Sequence, residues 1–257
     1  MRKKKSLGQH FLTSSHYLDL IVDSAHIEKG EQILEVGPGE GALTKELLAR
    51  GAQVIAIEKD HRLIPYLCER FAHAIASGQL IVRGGDLLQL DATELQLGQP
   101  YAIVANIPYY ITGAFIKKFL TEAHQPSRMI LLVQREVAER IARDEKESIL
   151  SLSVKAYGAP AYIKTVPAGA FSPPPEVDSA ILAIRNISRE HFKDREQEER
   201  YFTLLHAAFG KKRKLVRRNL ESVLAEKADE MLTKAHVPEK ARAEDLHIET
   251  WLTLSNS

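Results

Sequence analysis

A short apolar run, Gln32-Ile33-Leu34-Glu35-Val36, passes directly into Gly37-Pro38-Gly39-Glu40-Gly41-Ala42, and no other stretch limits the possible folds so sharply. The helix expected from Leu43 to Arg50 follows. A second apolar run, Gln53-Val54-Ile55-Ala56-Ile57, then ends at Glu58. Strand, glycine turn, helix and strand make a β-α-β unit, the building block of parallel α/β sheets. Gly37, Gly39 and Ala42 satisfy G-x-G-x-x-A, and Glu58 stands about 20 residues further on, where such units carry an acid. Glycines at the first turn let the backbone approach a ligand closely. A carboxylate at the next strand end suits a ribose with two free hydroxyls. A turn kept only for tight helix packing would leave the placed acid unexplained. The unit therefore indicates an adenosine-type cofactor, with NAD(P) and S-adenosylmethionine both compatible.

The following strands narrow that choice. A helix expected over Leu63 to Ala76 leads to the run Leu80-Ile81-Val82 and then to Gly84-Gly85-Asp86. Asp86 could accept a hydrogen bond from an adenine amino group, although aspartate is also at home in turns. Tyr101-Ala102-Ile103-Val104-Ala105 runs into Asn106-Ile107-Pro108-Tyr109, and Met129 to Val133 forms a fifth run. Polar residues at the ends of buried strands project from the carboxyl edge of a sheet, where open α/β folds place ligands. The residue types at 106–109 suit a planar base with an exocyclic amine. Such an amine is a poor nucleophile because its lone pair is delocalised into the ring. The Asn106 amide oxygen and the Ile107 carbonyl could accept its hydrogens and localise that pair. Pro108 stiffens the turn, and Tyr109 could stack on the base. A plain strand-then-turn is the competing reading of this motif taken alone. Convergence of Glu58, Asp86 and Asn106 fits S-adenosylmethionine and an amino-bearing base better than hydride transfer, for which no proton donor stands out.

Outside this centre, Arg2 to Lys5 place four cations in a row, read as a solvated arm or as one that touches phosphate. Gly8-Gln9-His10-Phe11-Leu12 precedes the N-cap residues Thr13-Ser14-Ser15 and a helix with Tyr17, Leu18, Ile21 and Val22 on one face. The segment before the helix reads as a hydrophobic staple or as a lid over a ligand. Phe171-Ser172-Pro173-Pro174-Pro175 makes a stiff extended loop before the strand Ala180 to Ile184. Phe171 could stack a flipped base opposite Tyr109 or anchor the loop in the core. From Ser188 the sequence turns charge-rich and helical in period. There Lys211, Lys212, Arg213, Lys214, Arg217 and Arg218 put six cations in eight residues, on a background of 14 basic and 13 acidic residues counted from Arg189. Beside a base-handling site, this run suggests phosphate contact rather than a solvated face.

Composition excludes several classes. A single cysteine, Cys68, forbids an internal disulfide and fits a reducing compartment. The ten histidines form no cluster at zinc spacing, so no metal is expected. No apolar run approaches the ~18 residues of a membrane span, and the basic start lacks the h-region of a secretory signal.

Taken together, these motifs resemble the rRNA adenine dimethyltransferase family, most closely its small-subunit (KsgA-type) branch, over nearly the whole chain. The resemblance implies an α/β fold: a Rossmann-like S-adenosylmethionine-dependent methyltransferase sheet of seven mostly parallel strands, with a small all-helical C-terminal domain. It implies a boundary between 1–188 and 189–257. It also implies dimethylation of N6 of two adjacent adenosines in the 3′-terminal hairpin loop of small-subunit rRNA. By motif position, His10, Leu12, Gly37, Gly39, Glu58, Asp86 and Asn106 correspond to cofactor contacts. Asn106, Ile107, Pro108 and Tyr109 correspond to the catalytic loop, with Phe171 beside the target base and the 211–218 run on RNA. A cytoplasmic monomer acting on the pre-30S subunit, with no membrane partner, is the expectation. Four positions depart from the commonest pattern. His10 stands where asparagine is usual, and Ile107 replaces leucine as in the macrolide-resistance branch that modifies large-subunit rRNA. Gly113-Ala114 lacks a proline, and Ser148-Ile149-Leu150 replaces a Tyr-Gly-Arg run. Modification of large-subunit rRNA, and an assembly factor with secondary methylation, are the alternatives.

Overall fold

Five runs rich in Ile, Leu and Val form the parallel part of a seven-stranded sheet, and the near-continuous hydrophobicity of the inner four reflects burial on both faces, whereas the edge run Leu80–Gly84 leaves Ile81 exposed. The computed structural model describes residues 10–90, 95–98, 100–211 and 213–256. Arg2 to Lys5, Gly8, Gln9 and Lys212 lie outside the described residues. In chain order the strands are β1 (Phe11–Leu12), β2 (Gln32–Val36), β3 (Gln53–Glu58), β4 (Leu80–Gly84), β5 (Tyr101–Asn106), β6 (Arg128–Gln134), β7 (Ala159–Val166), β8 (Phe171–Ser172) and β9 (Ser179–Arg185). The large sheet runs β4-β3-β2-β5-β6-β9-β7. β4, β3, β2, β5 and β6 are mutually parallel, whereas β9 is antiparallel to both β6 and β7. The strand order reverses between β2 and β5, which makes their carboxyl ends the ligand crevice of an open α/β sheet.

The chain divides into two compact units, one holding residues up to Ala138 together with Ala159–Ile187, the other Glu139–Gly158 together with Ser188 onward. The sequence suggested a single crossing after residue 188; the chain crosses three times. In the first unit the helices are α1 (Ser15–Ala25), α2 (Ala42–Ala49), α3 (Leu63–Arg70), α4 (Ala72–Ala76), α5 (Thr112–Thr121) and the start of α6 (Arg135–Ala142). Leu18, Ile21 and Val22 of α1 and Leu43 and Leu47 of α2 bury with Ile33, Val54, Val104 and Ile130 in one core. The single helix expected over 63–76 is broken at Phe71 (φ −112°, ψ 26°), whose ring turns in against Gly41. β7 carries Pro160 and a register shift between Tyr162 and Lys164. It is one of the sheet's two edge strands, where a missing N–H is tolerated.

The second unit is helical: α7 (Ile149–Tyr157), α8 (Arg195–Phe209), α9 (Val216–Leu224), α10 (Ala228–Lys234) and α11 (Ile248–Ser255). Ser148, one of the departures from the family pattern, starts α7. Its hydroxyl accepts from the Ser151 N–H while the Ser151 hydroxyl takes the Ser148 N–H, a reciprocal capping box. Asp194 caps α8 by accepting from the Gln197 N–H at 2.8 Å. Tyr157, Phe192, Tyr201 and Phe202 pack edge-to-face and stacked with centroids 5.2–6.4 Å apart. Buried Trp251 donates its indole N–H to the Leu246 carbonyl.

Candidate active site

The strand register brings the expected residues to one level. Val36 pairs with Ala105 on one side and Ile57 on the other, so Gly37, Asn106 and Glu58, each the next residue, end side by side. The Gly37 N–H donates to the Ile57 carbonyl at 2.9 Å, and a β-carbon on Gly37 would lie 3.5 Å from the Asn106 carbonyl oxygen. Gly37 and Gly39 have φ of 67° and 60°, a left-handed backbone that favours glycine. The absence of side chains there keeps the crevice between β2 and β5 open.

A cavity of about 220 Å³ occupies this edge. Its walls include Gly37, Gly39, Glu58, Asp86 and Asn106 through Tyr109, all expected from the sequence, with His10 and Phe11 from the N-terminal segment. A second cavity of about 210 Å³ lies behind Phe11, Gly37 and Asn106, which line both. Leu12 lines this second one alone and is otherwise buried in the core.

Each polar group is held by specific partners. Glu58 is 5% exposed. One carboxyl oxygen accepts the Gly39 N–H at 3.0 Å and the other the Asp60 N–H at 2.8 Å. Burial raises its pKa, and these N–H groups oppose the rise. Asp86 accepts from the Lys59 ammonium at 2.7 Å and from the Leu88 N–H at 3.2 Å. The Lys59 bond holds its carboxyl below the usual aspartate range. The Asn106 amide donates one of its two Nδ2 hydrogens to the His10 carbonyl at 3.1 Å, which fixes the amide's orientation and leaves its oxygen for a ligand. The His10 ring bonds through Nδ1 to the Pro173 carbonyl at 2.9 Å and lies nearly parallel to the Tyr109 ring, with centroids 6.3 Å apart. Tyr109 is half-buried, and its hydroxyl bonds to Ser179 Oγ at 2.7 Å. Burial raises its pKa, so the ring rather than a phenolate is what it offers.

Phe171 sits elsewhere. It is 4% exposed, pairs with Leu12 across the antiparallel β1–β8 ladder, and packs in the core rather than lining the cavity. Of its two readings from sequence, the loop anchor describes this position. The basic run lies in the second unit. Lys211, Arg213 and Lys214 occupy the turn between α8 and α9, and Arg217 and Arg218 the start of α9, all exposed. Arg217 pairs with Asp229. Lys59, Ser179 and Tyr110 were not anticipated. The first sits directly after the strand-end acid, a detectable signal; Ser179 reaches the site only through the β9 pairing.

These residues fit an adenosine-bearing group. Glu58 keeps acceptor capacity beyond its two N–H partners, Asp86 offers a second carboxylate, and Ile57, Leu87 and Ile107 supply apolar walls for a planar ring. Among the described residues no cluster of three or more His, Cys, Asp or Glu side chains could hold a metal, and no helix is long and apolar enough to cross a membrane.

A family model for ribosomal RNA adenine dimethylase matches residues 1–257. The chain belongs to this family. The chain is 40% identical over 265 residues to the ribosomal RNA small subunit methyltransferase A of Dehalococcoides mccartyi, covering 99% of this chain and 88% of that protein. Two solved structures share its architecture. The 23S rRNA methyltransferase ErmE superposes with a TM-score of 0.78 at 27% identity over 96% of this chain and 98% of that one. A dimethyladenosine transferase from Plasmodium falciparum does so with a TM-score of 0.77 at 25% identity, over 95% and 96%. The chain is accordingly an S-adenosylmethionine-dependent rRNA adenine methyltransferase with a Rossmann-like sheet.

Proposed function

We propose that the protein dimethylates N6 of two adjacent adenosines in the 3′-terminal hairpin loop of small-subunit rRNA, acting as a cytoplasmic monomer on the pre-30S particle. The observation that carries the chemistry is the Asn106 amide at the β2–β5 switch point, tied at its donor end and bordering both cavities. The small-subunit target is supported by the name of the 40% identical relative. When bound, S-adenosylmethionine supplies an electrophilic methyl group on its sulfonium. Glu58 would hold the ribose hydroxyls and Asp86 the adenine amino group, with Lys59 sharing or leaving that carboxylate. His10, Leu12, Gly37 and Gly39 shape the space around them.

Asn106 Oδ1 and the Ile107 carbonyl accept the hydrogens of the target amine and draw its lone pair out of the ring. Pro108 fixes the loop, and Tyr109 presents a ring whose hydroxyl is already held by Ser179. Holding amine and methyl in line can remove roughly 7–11 kcal/mol of barrier, so no strong base is needed. The departing proton passes to water after transfer. One acceptor suffices for the second methylation. Bringing the adenosine in costs a few kcal/mol of unstacking, least in a loop. Phe171, buried here, would contribute by anchoring the Pro-rich loop.

The test is transfer of labelled methyl to undermethylated small subunits and, separately, to large-subunit rRNA, with the product nucleoside read by mass spectrometry. Dimethyladenosine in the small-subunit 3′ hairpin is expected. Label confined to large-subunit RNA would transfer the enzyme to the resistance-type branch.

A further inference from the structure

Two tyrosines follow Pro108, and they face different ways. Tyr109 is half-buried and tied to Ser179, whereas Tyr110 is 68% exposed, the most exposed large apolar side chain among the described residues. Both line the same cavity. They sit on the 3-10 turn Tyr109–Ile111, where three residues make a turn and successive side chains diverge by about 120°. One ring therefore faces inward while the next stands at the rim. A solitary exposed aromatic on a protein surface needs no explanation. This one differs in its place, at the mouth of the cavity, beside a cation. Among the described residues no hydrogen bond or ring contact engages Tyr110, and Lys59, which lines the same cavity, gives one ammonium bond to Asp86 and keeps further donors. An unengaged aromatic face next to a lysine is the pairing that holds single-stranded nucleic acid.

A base seated against Asn106 and Tyr109 shares the cavity with the cofactor, so the nucleotide joined to it must leave across the rim. We infer that Tyr110 is the stacking platform for the nucleobase adjoining the target adenosine, and that it sets which nucleotide enters the cavity. The inference rests on the function proposed above. Stacking uses the π-face and not the amino group, so the platform accepts the adjoining adenosine before and after that base is itself dimethylated.

The experiment compares wild type with Tyr110→Ala, Tyr110→Phe and Tyr110→Trp in methyl transfer to undermethylated small subunits, alongside S-adenosylmethionine affinity. The Ala variant should raise KM for the subunit roughly 5- to 150-fold, the range for truncating a base-stacking ring. Phe and Trp should restore it, and cofactor Kd should stay at the wild-type value in all three. A hairpin RNA carrying 2-aminopurine beside the target should show fluorescence quenched on binding to wild type and not to the Ala variant. Wild-type KM in Tyr110→Ala overturns the inference while leaving the methyltransferase reading intact. A loss of kcat with KM unchanged overturns it too, because the ring would then act on the target base. Absence of transfer by wild type to any rRNA would remove the underlying reading and this inference with it.

Discussion

Glu35 occupies an unusual place for a carboxyl: the middle of the sheet, 1% exposed, two residues before Gly37. Neither of its oxygens has a well-aligned hydrogen bond, although Thr44 of α2 faces it. Burial is the main cause that pushes its pKa from 4.5 up to about 8, with the charge of Glu58 adding to the rise. In the unfolded chain the group ionises near 4.5, and in the folded chain it keeps its proton to about 8. Between those values the folded state binds the extra proton, so stability falls as pH rises, by at most about 1.4 kcal/mol per unit. Below the window the group imposes no such cost. Glu35→Gln should therefore gain on wild type progressively between pH 5 and 8 in denaturant melts. A constant difference across that range would mean that Glu35 is ionised in the fold. Asn106 is the second residue whose role can be isolated. Asn106→Ala should nearly abolish methyl transfer while RNA affinity stays within a few-fold; wild-type turnover would remove Asn106 from the chemistry. Glu58, Asp86 and Asn106 were legible in the sequence because the first and last end strands and Asp86 follows one by two residues, and strand ends share an edge. Their partners were not. The Lys59–Asp86 bond and the Tyr109–Ser179 bond span 27 and 70 residues, and nothing local encodes them.

At the level of elements, three segments meet through His10. Its carbonyl takes the Asn106 amide, its ring bonds the Pro173 carbonyl, and the β1 strand that follows pairs with β8. Thr13 closes the junction by donating both its N–H, at 2.9 Å, and its hydroxyl, at 3.0 Å, to the Ala170 carbonyl. The sequence offered a staple or a lid for this segment. A two-stranded ladder was hidden from it, because two-residue strands carry no periodicity. The carbonyl bond to Asn106 does not depend on the side chain at position 10, but the tie to the Pro-rich loop does. His10→Ala should thus weaken cofactor affinity and lower turnover without erasing either. His10→Asn, with a short donor of its own, should recover part of the loss. Isothermal titration with S-adenosylmethionine and single-turnover rates would measure both; indistinguishable values for His10 and Ala would show that the ring is idle. β7 escaped recognition for a different reason. Pro160 argues against a central strand, and only the sheet order shows that the strand lies at an edge where proline is permitted.

Across the whole chain, the two compact units differ in the side chains they carry. The first holds every residue that faces the cavity, and the second holds the 211–218 cations. The helical second unit was legible from composition after Ser188. Residues 139–158 were not assigned to it, because α7 joins that unit through contacts such as the Tyr201 hydroxyl on the Leu152 carbonyl, far apart in sequence. The basic turn is braced from inside. Asn219, 9% exposed, donates through Nδ2 to the Ala208 carbonyl at 2.6 Å and to the Lys211 carbonyl at 3.1 Å, fixing the end of α8 to the turn. Such bracing suits a surface that meets a partner in a defined shape. Within it, Arg217 is paired with Asp229, so Lys211, Arg213, Lys214 and Arg218 are the charges to remove. Glutamine at these four positions should weaken RNA binding and flatten the slope of log affinity against log salt. At roughly 0.7 per phosphate contact on single strands, the slope should fall by up to about 3. Affinity for S-adenosylmethionine should not change, since Glu58, Asp86 and Asn106 are untouched. A second variant, Asn219→Leu, keeps all the charges but removes the brace. If shape matters as well as charge, it should lower RNA affinity while preserving most of the salt slope. An unchanged slope in the four-glutamine variant would return the run to a solvated surface, and the phosphate contacts would have to be sought elsewhere.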